Sequence, residues 1–394
     1  MKLIASVLAG LLLSGYVQAQ SDRTSEPVLQ RSDLMNGLKD PWDLAITQDG
    51  TLFVTEKCRG LSVRRTDGAV TRLFGTRGSA RVADDLFCEG QSGMNGVTLD
   101  PDFEDNRILY VYMPSRQGGA PDNRVLRLRL DANFAKVTER TDIVTGISFK
   151  TKANAVGSAG AHSGGRIRFG PDGYLYITTG DNHNGPLPQD LTRLGGKVLR
   201  VDRDGKAAPG NNTPDGGDPR IFTYGHRNVQ GIDFHPQSGQ PFIAEHGPGH
   251  SDEVTALVAG GNGGWDPVPA KGVSCPDDYC GYVSNRRDGA LTSMTDLEKF
   301  PDAMKPLHVF EDSEGLGPLV FLAGSQWKAW EGQPVVGFMR GQRVNILKTG
   351  EAGAVERLIR ADLPRQRIRS LVQGPQGRLY VATDAGSVWT VAPQ

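Results

Sequence analysis

The chain has 394 residues, room for two ordinary domains or for one large closed all-β domain. Lys and Arg number 44 against 45 Asp and Glu, and no long basic run occurs, which argues against nucleic acid or an anionic membrane as a partner. Gly reaches 51 and Pro 24 without a collagen period, and 38% of residues are apolar, a composition of many tight turns between short strands around a real core.

In chain order, the opening MKLIASVLAGLLLSGYVQAQ carries one Lys, an apolar stretch from Leu3 to about Leu13 and the small-residue ending Val17-Gln18-Ala19. This pattern predicts a signal peptide over 1–19 and a periplasmic or secreted mature protein. The stretch is short for the ~20 residues a membrane span requires, so no span is expected in the mature chain. Residues 20–37 read as an N-terminal segment and 38–394 as one domain, because no Pro- or Ser-rich linker divides the rest. An oxidising destination suits the cysteines Cys58, Cys88, Cys275 and Cys280, an even set without C-x-x-C spacing. Three pairings are open; the favoured one staples Cys275 to Cys280 and leaves Cys58 for Cys88.

A turn-plus-strand phrase then recurs: QDGTLFVTE (48–56), DNRILYVYM (105–113), PDGYLYITTGD (171–181), SGQPFIAEHG (238–247), EGQPVVGFM (331–339) and PQGRLYVATDAG (375–386). The mean spacing of roughly 65 residues suits a four-stranded sheet with its loops, the unit of a propeller. The expected fold is therefore all-β, a six-bladed β-propeller with long face loops over Asp202 to Arg220 and Pro267 to Met304. Its last strand is expected to complete the first blade and so remove an exposed edge. Helical periodicity is confined to short candidates at Thr292 to Phe300 and Gln326 to Trp330.

The nicotinamide, P-loop, zincin and serine-hydrolase signatures are all missing. Four polar clusters remain, each at the edge of a blade phrase. His162 sits in the Gly-rich run AHSGGR, where a base near neutral pH can approach a ligand closely, and Asp181 ends the hairpin that this run opens. Arg227 and Asn228 place a guanidinium fork beside an amide. The segment from Glu245 to Glu253, followed by GGNGGW from Gly260 to Trp265, gathers carboxylates and turn carbonyls of the kind calcium takes. Arg367 and Arg369 share a face if extended, which implies a polyanionic ligand or acidic neighbours.

Seven phrases taken in order, PWDLAITQDGTLFVTE, GQSGMNGVTLDPDF, AHSGGRIRFGPDGYLYITTGD, LGGKVLRVDRDG, GHRNVQGIDFHP, EHGPGHSDEV and RIRSLVQGPQGRLYVATD, resemble the soluble quinone-dependent aldose (glucose/sorbosone) dehydrogenase family from Leu38 to the C-terminus. The resemblance implies pyrroloquinoline quinone over the propeller axis, calcium beside it, and oxidation of an aldose at its anomeric carbon to a lactone. By the same resemblance His162 is the catalytic base and Asp181 supports it, while Gln91, Arg227, Asn228, Arg367 and Arg369 hold the quinone. The carbonyls of Gly247 and Pro248 match calcium ligands, and Glu253 with the Gly263 carbonyl matches a second calcium site. Two departures stand out: Asn262-Gly263-Gly264-Trp265 replaces the Asn-Tyr-Gly-Trp that family members often show, and PLVFLAGSQWKAW follows the family pattern only loosely, with no position in it matching a lysine that contacts the quinone. No haem-attachment C-x-x-C-H occurs, so a separate electron acceptor is expected. The alternatives are a propeller that has lost the cofactor and binds carbohydrate or protein, and a calcium-dependent lactonase.

Overall fold

The computed structural model describes residues 25–151, 157–267, 292–350 and 353–394. The first strand is β1 (Leu29–Met35). Blade one holds β2 (Pro41–Ile46), β3 (Leu52–Glu56), β4 (Gly60–Arg64), β5 (Val70–Gly75) and the short β6 (Arg81–Val82). Blade two holds β7 (Val97–Leu99), β8 (Ile108–Ser115), β9 (Asp122–Leu130) and β10 (Val137–Ile147). Blade three holds β11 (Ile167–Phe169), β12 (Leu175–Thr178), β13 (Val198–Val201) and β14 (Ile221–Thr223). Blade four holds β15 (Val229–Phe234), β16 (Pro241–Glu245), β17 (His250–Ala256) and β18 (Pro306–Asp312). Blade five holds β19 (Leu316–Phe321), β20 (Pro334–Phe338), β21 (Arg343–Thr349) and β22 (Val355–Arg360). Blade six holds β23 (Ile368–Gln373), β24 (Leu379–Thr383) and β25 (Ser387–Pro393), with β1 as its outer strand.

The recurring phrase is the second strand of its blade in all six cases: β3, β8, β12, β16, β20 and β24. That strand is covered by neighbouring blades on both faces, which is why β3, β20 and β24 are buried at every residue and read as unbroken apolar runs. The preceding turns are fixed by side chains: Asp49 and Asp172 each accept a backbone N–H two residues on, from Thr51 and Tyr174. Each inner strand contacts the inner strand of the next blade around the ring, β2 touching both β7 and β23. An apolar cluster fills every junction between successive blades, from Phe53, Phe74 and Leu109 between blades one and two to Val54, Leu44 and Tyr380 between six and one.

Closure runs opposite to expectation. The N-terminal β1 completes the last blade, antiparallel to β25 with Leu29 opposite Pro393 and Asp33 opposite Trp389. Its side chains are mostly exposed, as the outermost position requires, and they cover the β25 edge that would otherwise lie open. Strand pairing thus begins at Leu29, inside the segment 20–37 that sequence reading kept apart from the propeller. The candidate helix at Gln326 to Trp330 is a 3-10 helix over Ser325–Trp330, and 292–300 forms turns. The loop from Asp202 to Arg220 joins β13 to β14. Connections alternate between the two faces of a propeller, so this loop lies on the face opposite the β12–β13 connection. No helix among the described residues is long and apolar enough to cross a membrane.

Cys58 is bonded to Cys88 with Cα atoms 5.4 Å apart, closing a loop of sequence separation 30. The signal-peptide residues, Cys275 and Cys280 lie outside the described residues. Loop-closure entropy for a link of this span is about 3–4 kcal/mol. The double variant Cys58→Ser, Cys88→Ser is therefore expected to lose about that much unfolding free energy in a denaturant titration, and an unchanged midpoint would contradict it.

Candidate active site

The connection entering blade three turns sharply at His162, whose φ is +51°. The chain leaving β12 passes directly beneath it: a Cβ at Gly180 would lie 2.0 Å from the His162 carbonyl oxygen, so only glycine fits there. Asn182 donates its side-chain amide to that same carbonyl at 2.9 Å. These contacts bring the AHSGG run and the end of the TTGD hairpin together. Asp181 Oδ1 meets His162 Nδ1 at 2.7 Å and accepts the His183 backbone N–H at 2.9 Å. Asp181 Oδ2 accepts the indole N–H of the fully buried Trp265 at 2.9 Å.

Burial, reinforced by the Arg227 charge, holds His162 well below its ordinary value, so the imidazole is neutral at physiological pH. Burial pushes Asp181 up to about 6, opposed by Arg227 and by the N–H groups of His183 and Trp265, so it is ionised above that pH. With Nδ1 committed to the carboxylate, the tautomer makes Nε2 the basic atom of His162.

Arg227 and Asn228 precede β15, and both donate their backbone N–H to Glu245 Oε1, the second at 3.0 Å. The other Glu245 oxygen meets His226 Nδ1 at 3.1 Å. The Asn228 side-chain oxygen accepts the Gly164 N–H at 3.2 Å, tying this pair to the His162 loop. Arg227 donates to the His246 carbonyl at 3.0 Å, and its guanidinium stands 5.7 Å from the Trp265 ring centre. Arg367 and Arg369 converge on Asp384, at 2.6 and 2.8 Å, so the acidic neighbour their spacing implied is present.

The carboxylates of the Glu245 to Glu253 segment do not converge on one point. Glu245 caps backbone N–H groups, and Asp252 accepts N–H bonds from Gly247, Glu314 and Leu316. Glu253 accepts the Thr295 hydroxyl at 2.8 Å. Among the described residues no group of three or more His, Cys, Asp or Glu side chains is arranged to hold a metal.

A cavity of about 600 Å³ opens at the axis, and its wall joins Gln91, His162, Arg227, Asn228, Gly247, Arg367 and Arg369. Asp181 backs it through His162, whereas Pro248, Glu253 and Gly263 are not on the wall. Gly263 packs instead against His226, whose Nδ1 would lie 2.9 Å from a Cβ there. Gln230 and His246, from the polar clusters, also line the cavity, as do Trp42, Lys57 and Met339, which were missed in the sequence. A usable signal existed: Lys57, His246 and Met339 lie immediately after the second strand of their blades, the position that also supplies Asp384.

A cavity lined by four cations and a neutral histidine thus opens at the axis of a six-bladed propeller, and the protein is an oxidoreductase. The chain belongs to the glucose/sorbosone dehydrogenase family, whose model matches residues 38–389. It is 28% identical over 370 residues to the aldose sugar dehydrogenase of Escherichia coli K12, covering 92% of each chain. It is also 28% identical over 312 residues to quinoprotein glucose dehydrogenase B of Acinetobacter calcoaceticus, covering 72% of this chain and 60% of that one. The solved aldose sugar dehydrogenase of Streptomyces coelicolor, in its PQQ-bound form, superposes with a TM-score of 0.70 at 24% identity, over 94% of this chain and 100% of that one, a likeness of fold.

Proposed function

We propose that this chain oxidises aldoses at the anomeric carbon to lactones, using pyrroloquinoline quinone and calcium, with His162 as the base. The observation that carries this is the neutral His162, held by a buried carboxylate, on the wall of a cavity that four cations also line: Lys57, Arg227, Arg367 and Arg369. A tricarboxylate cofactor fits that donor set, since a neutral sugar alone would not call for it. Pyrroloquinoline quinone, polarised by calcium, supplies two-electron, hydride-accepting chemistry when bound.

The chain's own residues do the rest. His162 Nε2 takes the proton of the anomeric hydroxyl as the hydride leaves the same carbon, and Asp181 stabilises the imidazolium that forms. Arg227, Asn228, Arg367, Arg369 and Gln91 hold and orient the quinone. Gly247 gives its N–H to Asp252 at 2.8 Å, so the group it offers calcium is its carbonyl, beside that of Pro248. Glu253, which accepts the Thr295 hydroxyl at 2.8 Å, would hold a second calcium together with the Gly263 carbonyl, as the family resemblance implies. A lactonase would need several carboxylates converging on an axial metal, whereas among the described residues Asp40 is the one carboxylate lining the cavity and Asp43 is taken by Arg168 at 2.8 Å and by Arg166.

Capping the anomeric hydroxyl tests this directly, because a methyl glucoside presents no proton to His162. Glucose is expected to be oxidised and its methyl glycoside not, and equal turnover of both would refute oxidation at the anomeric position. Trp265 is assigned a positioning role, keeping Asp181 ionised. Trp265→Phe removes one hydrogen bond to the carboxylate, so the acid limb of kcat/KM, expected near the Asp181 value of about 6, moves up by about one unit. A merely structural role would lower the rate at all pH values and leave the limb in place.

A further inference from the structure

A second cavity, of about 480 Å³, adjoins the first and shares Gly249 and Ser313 with it as common wall. It opens on the same face, among the connection from β18 to β19, the hairpin after β20 and the end of β22. Four arginines line it, Arg340, Arg343, Arg360 and Arg365, against two carboxylates, Asp312 and Glu314. Glu314 is spent on Arg343, at 2.7 Å for the longer of their two contacts. Arg340 reaches only the Ser313 carbonyl, at 3.5 Å, while the guanidiniums of Arg360 and Arg365 make no hydrogen bond or ion pair among the described residues.

The chain as a whole is balanced, with a net charge of −1, so this excess of positive charge is local. Uncompensated guanidiniums gathered around a concavity repel one another and attract an oxyanion. A flat patch of basic residues would suit a protein partner; this one is concave, and Asp312 beside the arginines can accept hydroxyl protons, as a sugar requires.

We propose that this groove is an anionic subsite for acidic oligosaccharides. It rests on the main cavity taking an aldose. The reducing-end sugar lies beside His162, and the next residue of the chain carries a carboxylate held by Arg340, Arg360 and Arg365. The substrates thus include uronate-bearing disaccharides as well as neutral sugars.

The test compares cellobiose with glucuronosyl-β-1,4-glucose, which differ only by a carboxylate in place of one hydroxymethyl group. In the holoenzyme the acidic disaccharide is expected to have the higher kcat/KM by about tenfold. The double variant Arg340→Gln, Arg360→Gln is expected to erase that ratio and leave cellobiose unchanged. A ratio of one or below in the unaltered enzyme, or equal losses for both sugars in the variant, overturns the subsite. If neither disaccharide is oxidised, the proposed reaction has failed, and calorimetric binding of the same pair decides the groove separately: tighter binding of the acid, lost in the variant, upholds it, and equal binding overturns it. An acidic electron-carrier protein that competes for this face, with no discrimination between the disaccharides, also overturns it.

Discussion

His162→Ala is expected to bind pyrroloquinoline quinone as the unaltered protein does and to turn over aldose between about a hundred and ten thousand times more slowly, the range that a positioned base contributes. The retained binding follows from the structure, because the groups assigned to the quinone are fixed by other contacts: Arg369 and Arg367 by Asp384, Asn228 by Glu245 and Gly164. Arg367→Ala should do the reverse, weakening cofactor binding while sparing turnover at saturation. The pair of measurements, quinone titration by absorbance and kcat at saturating cofactor, separates the two roles. Full activity in the His162 variant would remove it as the base.

The second large effect concerns the axis beneath the cavity. Asp43 is fully buried and meets Arg166, Arg168 at 2.8 Å and the Ser370 hydroxyl at 2.8 Å. Arg166 in turn donates to the carbonyls of Gln230 at 3.0 Å and Arg369 at 2.9 Å, and stacks over Trp42 at 4.1 Å. One buried carboxylate, which also accepts the Val97 N–H at 3.1 Å, thus ties together the inner strands of blades one, two, three and six under the site, and blade four through Arg166. Asp43→Asn leaves the buried Arg166 and the partly buried Arg168 guanidiniums without their counter-charge, at a cost of about 3–5 kcal/mol. Loosened quinone binding should accompany it, since Gln230, Arg369 and Trp42 all line the cavity.

The acid limb of stability gives an independent check. Burial opposes ionisation of Asp43, yet Arg166 and Arg168 hold its carboxyl down at about 2, below the ordinary 3.8. A depressed carboxylate contributes stability above the unfolded value and loses it as pH falls through the folded one. About 2 kcal/mol should therefore vanish between roughly pH 4 and pH 2 in the unaltered protein and be absent from the Asp43→Asn slope. Equal acid slopes in both would contradict the assignment.

What the sequence made legible follows from where burial is continuous. The second strand of each blade is covered on both sides, so LFVTE, LYIT and LYVAT stand out, and the same strands deliver Lys57, Asp181 and Asp384 to the axial face. The pairing of His162 with Asp181 was accessible because 19 residues and one hairpin separate them. Contacts across the ring were not. Trp265 reaches Asp181 over 84 residues and Ser370 reaches Asp43 over 327, and no periodicity encodes such distances. The separate roles within the segment from Glu245 to Glu253 were hidden for a related reason. Composition does not distinguish a carboxylate that accepts backbone N–H bonds, as Glu245 and Asp252 do, from one that faces a cation. Ring closure was legible as a need but not in its direction, because either terminus could supply the covering strand.

Titrating pyrroloquinoline quinone and calcium into the purified protein, and following aldose-dependent reduction of a dye, tests the central claim most directly. Binding seen by absorbance or thermal shift, with activity that rises to a plateau as the quinone site fills and is lost on chelating calcium, is the expected result. A protein that binds no quinone, or that binds it and still oxidises no aldose, would contradict the assignment of this cavity as a quinone-dependent sugar dehydrogenase site.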